Sequence, residues 1–180
     1  MKMLKKLLAI VLTGAMALTL LTACGSNAVT EKDIADVMSD MAKAEGTNVT
    51  FTPRAKEREM AKAIAALSDE DLKELEESLK NSSLPEKAKE ILGINAGGAN
   101  ANNFVWCGAT YTDELGTSGQ ALNFMTQVMD KSANADKLRG KNPADDRYMG
   151  TALCKILDNE SGKLVTVRVI VITAEPVDKK

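Results

Sequence analysis

The chain contains no histidine. Imidazole is the commonest general base and the commonest zinc ligand, so its absence removes the easiest route to a hydrolytic or metal centre. Aromatic residues are scarce, at one Trp, two Tyr and three Phe in 180 residues. No basic patch is interleaved with stacking rings, and the chain is mildly acidic at −2, so nothing in it points to nucleic acid as a partner. Cysteine occurs three times, never in a Cys-x-x-Cys pair, which leaves no redox motif or zinc knuckle. Long apolar runs are missing as well. The mostly apolar, uncharged stretch from Leu7 to Leu21 is about 15 residues, short of the roughly 20 that span a bilayer as a helix.

That stretch has the length of an export signal, and its surroundings agree. Lys2, Lys5 and Lys6 form a positive n-region before it. Leu21-Thr22-Ala23-Cys24 follows, with small residues Gly25 and Ser26 beyond. The pattern resembles the bacterial lipobox: Leu three residues before the Cys and a small residue just before it. The resemblance implies a signal peptide over residues 1–23 and a diacylglyceryl group on Cys24, the new N-terminus. Residues 24–30 then form a lipidated end and tether, and the partner is the cell membrane, approached from its extracytoplasmic face. One acyl chain binds a membrane marginally, at about 0.8 kcal/mol per methylene, whereas two or three hold firmly.

Removing residues 1–23 leaves 157 residues, enough for one domain, and shifts the formal charge to about −5. The remaining cysteines, Cys107 and Cys154, stand in an exported context where thiols can pair. A bond between them would close a loop of about 47 residues and stabilise by roughly 4 kcal/mol on the chain-entropy model. The alternative is two reduced, buried thiols.

Periodicity predicts helices in the front half. Thr30-Glu31-Lys32-Asp33 reads as a capping box before Ile34, Val37, Met38 and Met41, and Gly46 stops the run. Thr52-Pro53 predicts a second start, with Thr as N-cap, running to about Leu67. Ser68 opens a third helix with Leu72, Leu75 and Leu79 on an acidic rod, and a short fourth follows Pro85 and ends at Gly93. Residues 95–102 and 131–146 read as loops. The back half predicts strands over Phe104 to Tyr111, Arg147 to Leu157 and Lys163 to Thr173, with a helix from Ser118 to Asp130. In the last strand Leu164, Ile170 and Ile172 share one face, and Val165, Val167, Val169 and Val171 the other. A strand apolar on both faces is covered on both. The expected fold is therefore α+β: a three-layer α-β-α sandwich with a mostly antiparallel central sheet and a helical N-terminal half, in one domain over residues 31–176.

The order of these segments resembles the CAP superfamily, the SCP-like domains of cysteine-rich secretory, antigen 5 and pathogenesis-related proteins. The residues that carry the likeness are Met41-Ala42-Lys43-Ala44-Glu45-Gly46, Val49-Thr50-Phe51, Arg54 to Ala66, Asn102-Asn103-Phe104, Gln120 to Lys131 with Ser132 and Leu138, and Tyr148-Met149-Gly150-Thr151-Ala152 with 163–173. Residues 68–99 have no counterpart and read as an insertion. The family often holds two His and two acids in a central cleft, and this chain departs from that. Asn102 stands at the motif's Glu, Ala135 near an expected His, and Met125 near the Trp of the middle helix. The resemblance thus implies a scaffold without its tetrad, a non-catalytic module taking a small apolar ligand or a protein partner. Its cleft region would include Asn102, Asn103, Trp106 and Tyr111. Read as residues alone, Trp106 is a core aromatic and the two Asn are turn formers. No metal site, cofactor motif or catalytic set is present. The competing readings are a structural envelope lipoprotein and a carboxylate hydrolase drawing on Glu57, Glu59, Asp113, Glu114, Asp145 or Asp146.

Overall fold

The structure is a computed structural model and describes residues 29–68, 70–72, 74, 84–112, 115–129, 132–157 and 162–179. The signal, Cys24 and most of the tether lie outside the described residues, as do Leu75, Leu79, Asp113, Glu114 and the 158–161 connection. Among the described residues no helix is long and apolar enough to cross a membrane.

Helix α1 (Glu31–Ala44) opens on the expected capping box. Asp33 N–H donates to Thr30 Oγ1 at 3.2 Å, and Thr30 N–H donates to the Asp33 carboxylate at 3.2 Å. The second start differs from expectation. Thr50–Pro53 is a strand, β1, and helix α2 (Ala55–Ala65) begins only after Arg54. Pro53 is tolerated because β1 lies at the sheet edge, where its missing N–H costs no ladder bond. Arg54 N–H then donates to Met149 O at 2.8 Å, so pairing with the sheet overrides the local helix signal. Helix α3 (Glu86–Leu92) ends at Gly93, whose φ of 65° suits glycine, as its sequence predicts.

Strand β2 (Phe104–Tyr111) leads to α4 (Thr117–Asn123), which continues as a π-turn over Phe124–Val128. A 3₁₀ turn over Ala135–Leu138 follows. Strand β3 (Lys141–Leu157) starts six residues before Arg147, inside the expected loop. A register irregularity between Pro143 and Arg147 explains why alternation there is unreadable. Strand β4 (Leu164–Asp178) completes a four-stranded mixed sheet in the order β1-β3-β4-β2. β1 runs parallel to β3, whereas β3–β4 and β4–β2 are antiparallel.

Alternation along β2 and β4 assigns the core to two clusters on opposite faces. Phe104, Trp106, Ile170, Ile172 and Ala174 meet Ile34, Met38, Ala42, Ala121 and Phe124. Val105, Cys107, Val169 and Val171 meet Ala61, Ile64, Leu84, Ala88 and Leu92. Residues 84–94, within the segment read as an insertion, therefore supply core side chains. One glycine fixes the second cluster's geometry. A Cβ on Gly150 of β3 would stand 1.9 Å from Arg58 N and 2.2 Å from Glu57 C, so the first turn of α2 rests on bare backbone.

Candidate functional site

Buried polar side chains are where a working site would show, because each must be compensated. One such cluster lies where α2 meets the sheet. Glu57, fully buried, accepts two hydrogen bonds from Arg54, Nε to Oε2 at 2.6 Å and Nη2 to Oε1 at 2.5 Å. Thr173 Oγ1 donates to Glu57 Oε1 at 2.6 Å, and the Arg54 guanidinium stacks 3.8 Å from the Tyr148 ring centroid. Thr173 and Tyr148 are register partners, so the sheet presents both to the helix start. Burial pushes the Glu57 carboxyl up, but the bonds from Arg54 and Thr173 outweigh it and hold its pKa below the ordinary value. A carboxylate held ionised this way is a poor proton shuttle, since general acid–base work needs a pKa near the working pH. The cluster is a latch that fastens α2 to β3 and β4.

A second network clips the two sides of the sheet together. Where β1 ends at Pro53, the open N–H of Thr151 donates to Glu31 Oε2 at 2.6 Å. Arg58 of α2 donates to Glu31 Oε1 at 2.6 Å, joining the first turn of α1 to α2. On the α1 side, buried Arg168 donates to Gln120 Oε1 at 2.8 Å, Thr151 Oγ1 at 3.3 Å and the carbonyl of Val29 at 2.9 Å. Its partners are neutral, and burial lowers its pKa despite the pull of Glu31. Arg147 makes no protein hydrogen bond through its buried Nε and instead lies over Phe51 and Trp106, at 5.8 and 5.1 Å.

The residues expected around a cleft are not brought together. Asn102 lines a shallow depression of about 540 Å³ with Ile94, Gly98, Ala101, Lys137 and Leu138. Asn103 is half-buried in the same turn, and its carbonyl accepts from Asn134 Nδ2 at 2.5 Å. The turn is organised by buried Asn100, which donates to Leu92 O at 2.8 Å and accepts from Lys56 at 2.6 Å. Trp106 is buried in the core beside Phe104, ring centroids 6.0 Å apart. Tyr111 is half-exposed at the opposite end of β2, about 23 Å from Phe104 along an eight-residue strand. The bland readings of Trp106 and the two Asn, as core aromatic and turn formers, describe what these residues do here.

Nor does the register allow the Cys107–Cys154 bond. Cys107 on β2 faces Val171, and Cys154 on β3 faces Val167, so the cysteines flank β4 and are offset by four residues. They stand about 10 Å apart across the strands and about 13 Å along them, against a Cα span of roughly 4.4–6.8 Å for a disulfide. Neither forms a disulfide. Burial pushes the Cys107 thiol up to about 12.

The described carboxylates among those considered for hydrolysis are dispersed. Glu57 is in the latch, Glu59 pairs with Lys62 at 2.8 Å on the surface, and Asp146 accepts from Thr50 Oγ1 at 3.1 Å. Asp145 is exposed on β3. Among the described residues no three His, Cys, Asp or Glu side chains group as metal ligands.

Sequence reasoning missed Arg168, although its signal was visible: one charge inside Leu-Val-Thr-Val-Arg-Val-Ile-Val-Ile-Thr, a strand otherwise uncharged. It also assigned Leu164 to a covered face. Leu164 is 69% exposed, and on the same face of the β3–β4 ribbon Leu153 and Leu157 are 55% and 44% exposed. No known protein family, curated protein or solved structure matches the chain.

Proposed function

We propose that the chain is an extracytoplasmic bacterial lipoprotein, anchored through Cys24, whose domain binds and does not catalyse. The observation that carries the anchor is the ordered series of Lys2, Lys5 and Lys6, the uncharged run to Leu21, and Leu21-Thr22-Ala23-Cys24. A binding role is supported by where the buried polar groups go. Glu57, Arg54, Glu31 and Arg168 are spent on fastening helices to the sheet. The depression beside Asn102 is shallow and mixes Gly, Asn and Lys with Ile94 and Leu138, which suits a protein partner better than an enclosed apolar ligand.

The scaffold is a three-layer α-β-α arrangement of CAP type. This reading is supported by helix side chains in both apolar clusters, Ile34 and Met38 on one face of the sheet and Ala61 and Ile64 on the other. It is supported too by the order helix, short strand, Ala-rich helix, strand, helix, hairpin, into which α3 is inserted before β2.

The test is metabolic labelling with radioactive palmitate in a bacterial host, followed by detergent phase separation. The full chain is expected to carry label and enter the detergent phase, and Cys24→Ser to do neither. Equal behaviour of the two would refute the anchor.

A further inference from the structure

The β2–β4 register ends at Tyr111↔Val167, and β1 leaves β3 at Met149. Thr110 and Tyr111 of β2 still flank Arg168 and Val167, and Thr112 N–H donates to Thr166 O at 3.0 Å, so the ribbon is β3 and β4 alone only past Thr166, from Ile156↔Val165 to Leu157↔Leu164. Its two faces differ. On one, Ala152 and Cys154 pack against the cluster formed with α2 and α3. On the other, Leu153, Leu157 and Leu164 form an exposed row, with Lys155 between the first two. A row of exposed leucines on a ribbon marks a contact surface, because apolar area left in water is unfavourable.

Where the chain enters the domain identifies the occupant. Val29 packs on the α1-side cluster, and its carbonyl is held by Arg168, the register partner of Leu153. The tether thus arrives on the leucine face, at the Leu153↔Arg168 pair. Cys24 stands only five positions before Val29, a reach of at most about 18 Å. Leu157 and Leu164 lie four residues from that pair, about 13 Å along the strands. A lipid on Cys24 would join the chain within about 30 Å of the leucines.

We propose that Leu153, Leu157 and Leu164 form a second membrane contact that rests in the bilayer carrying the Cys24 lipid and sets the domain's orientation. This rests on the anchor proposed above. The contact is apolar in kind. Lys155 and Lys163 beside the row are matched in sequence by Asp158 and Glu160, and the remaining charge, Arg168, is buried, so the exposed row has no net positive charge to draw it to anionic headgroups. Each leucine leaving water strengthens the contact roughly tenfold on the scale of apolar transfer.

The experiment uses the full chain, processed and lipidated in a bacterial host and reconstituted in phosphatidylcholine vesicles containing nitroxide-labelled lipid. Cys24 is blocked by its lipid and Cys107 is buried, so in a Cys154→Ala background a single new thiol can be labelled with a fluorophore. Cys154→Val serves if the first background does not fold, and a Cys107 that stays unlabelled certifies folding. Labels at Leu157→Cys and Leu164→Cys are expected to be quenched several-fold more than one at Lys62→Cys, which is exposed on α2. Adding Leu153→Ser to the Leu157→Cys chain should reduce the quenching, and anionic lipid should leave it unchanged. Equal quenching at all sites on a lipidated chain overturns the proposal and leaves the anchor standing. Quenching that appears only with anionic lipid overturns the apolar contact. A mass spectrum without lipid on Cys24 overturns both.

Discussion

Near Ile170 and Ile172, β4 carries side chains buried under α1 and α4 on one face and valines buried under α2 and α3 on the other. Six to eight residues earlier, at Leu164, the same strand has lost its cover on the α1 side, although Leu164 is as apolar as the isoleucines. Sequence alternation is alike in the two regions. They differ in neighbours: α1 begins at Glu31, fastened by its carboxylate to Thr151 and Arg58, and no part of it lies beyond that point of the ribbon. A hydrophobic residue is core only where another element arrives to cover it, and here the arrival point of α1 is set by polar bonds.

The contrast can be broken or sharpened by substitution. The largest effect is expected from Gly150→Val, which drives a side chain into the backbone of α2 and should cost about 4 kcal/mol, above the usual range for overpacking because backbone cannot yield. Urea unfolding would read it as a large fall in midpoint or as failure to fold. Ile172→Ala, in the doubly covered region, should cost about 3 kcal/mol by the same measurement.

Glu57→Gln should cost about 2 kcal/mol, less than for a fully buried pair because Arg54 is 37% exposed. The cost should depend on pH. The Glu57 pKa is lowered in the folded chain, so the latch contributes fully above the unfolded value of about 4.3 and is lost as pH falls through the folded value. Wild type and Glu57→Gln should therefore draw together in stability as pH falls below the unfolded value and through the lowered folded one. A gap constant from pH 7 to pH 3 would show that the latch acts by shape alone. The smallest effect belongs to Leu164→Ser, expected within about 0.5 kcal/mol of wild type in solution. A loss comparable to that of Ile172→Ala would mean that the leucine face is covered by the chain itself.

Much of this architecture was legible. The Thr30 capping box, the stop at Gly93 and the two-faced β4 follow from residue types whose local physics is strong. The misreadings share one cause, tertiary pairing invisible from a single segment. Thr52-Pro53 carries a good helix signal and becomes edge strand because β3 offers Met149 and Tyr148 as partners. Residues 141–146 pair with β4 through an irregular register that no alternation announces. The cleft was drawn from resemblance, and it spread four residues over both ends and the underside of β2. The disulfide failed for a similar reason: spacing in sequence says nothing about which strand lies between two cysteines. The leucine row could not be read at all, since exposure of Leu164 depends on where α1 starts in space.

Energy transfer from a donor on the lipidated chain to acceptor lipids in neutral vesicles tests the orientation most directly. A donor at Leu157→Cys should transfer more efficiently than one at Lys62→Cys, placing the ribbon's leucine face toward the bilayer and α2 away from it. Equal efficiencies, or the reverse order, would contradict the account and leave a domain that swings freely on its tether.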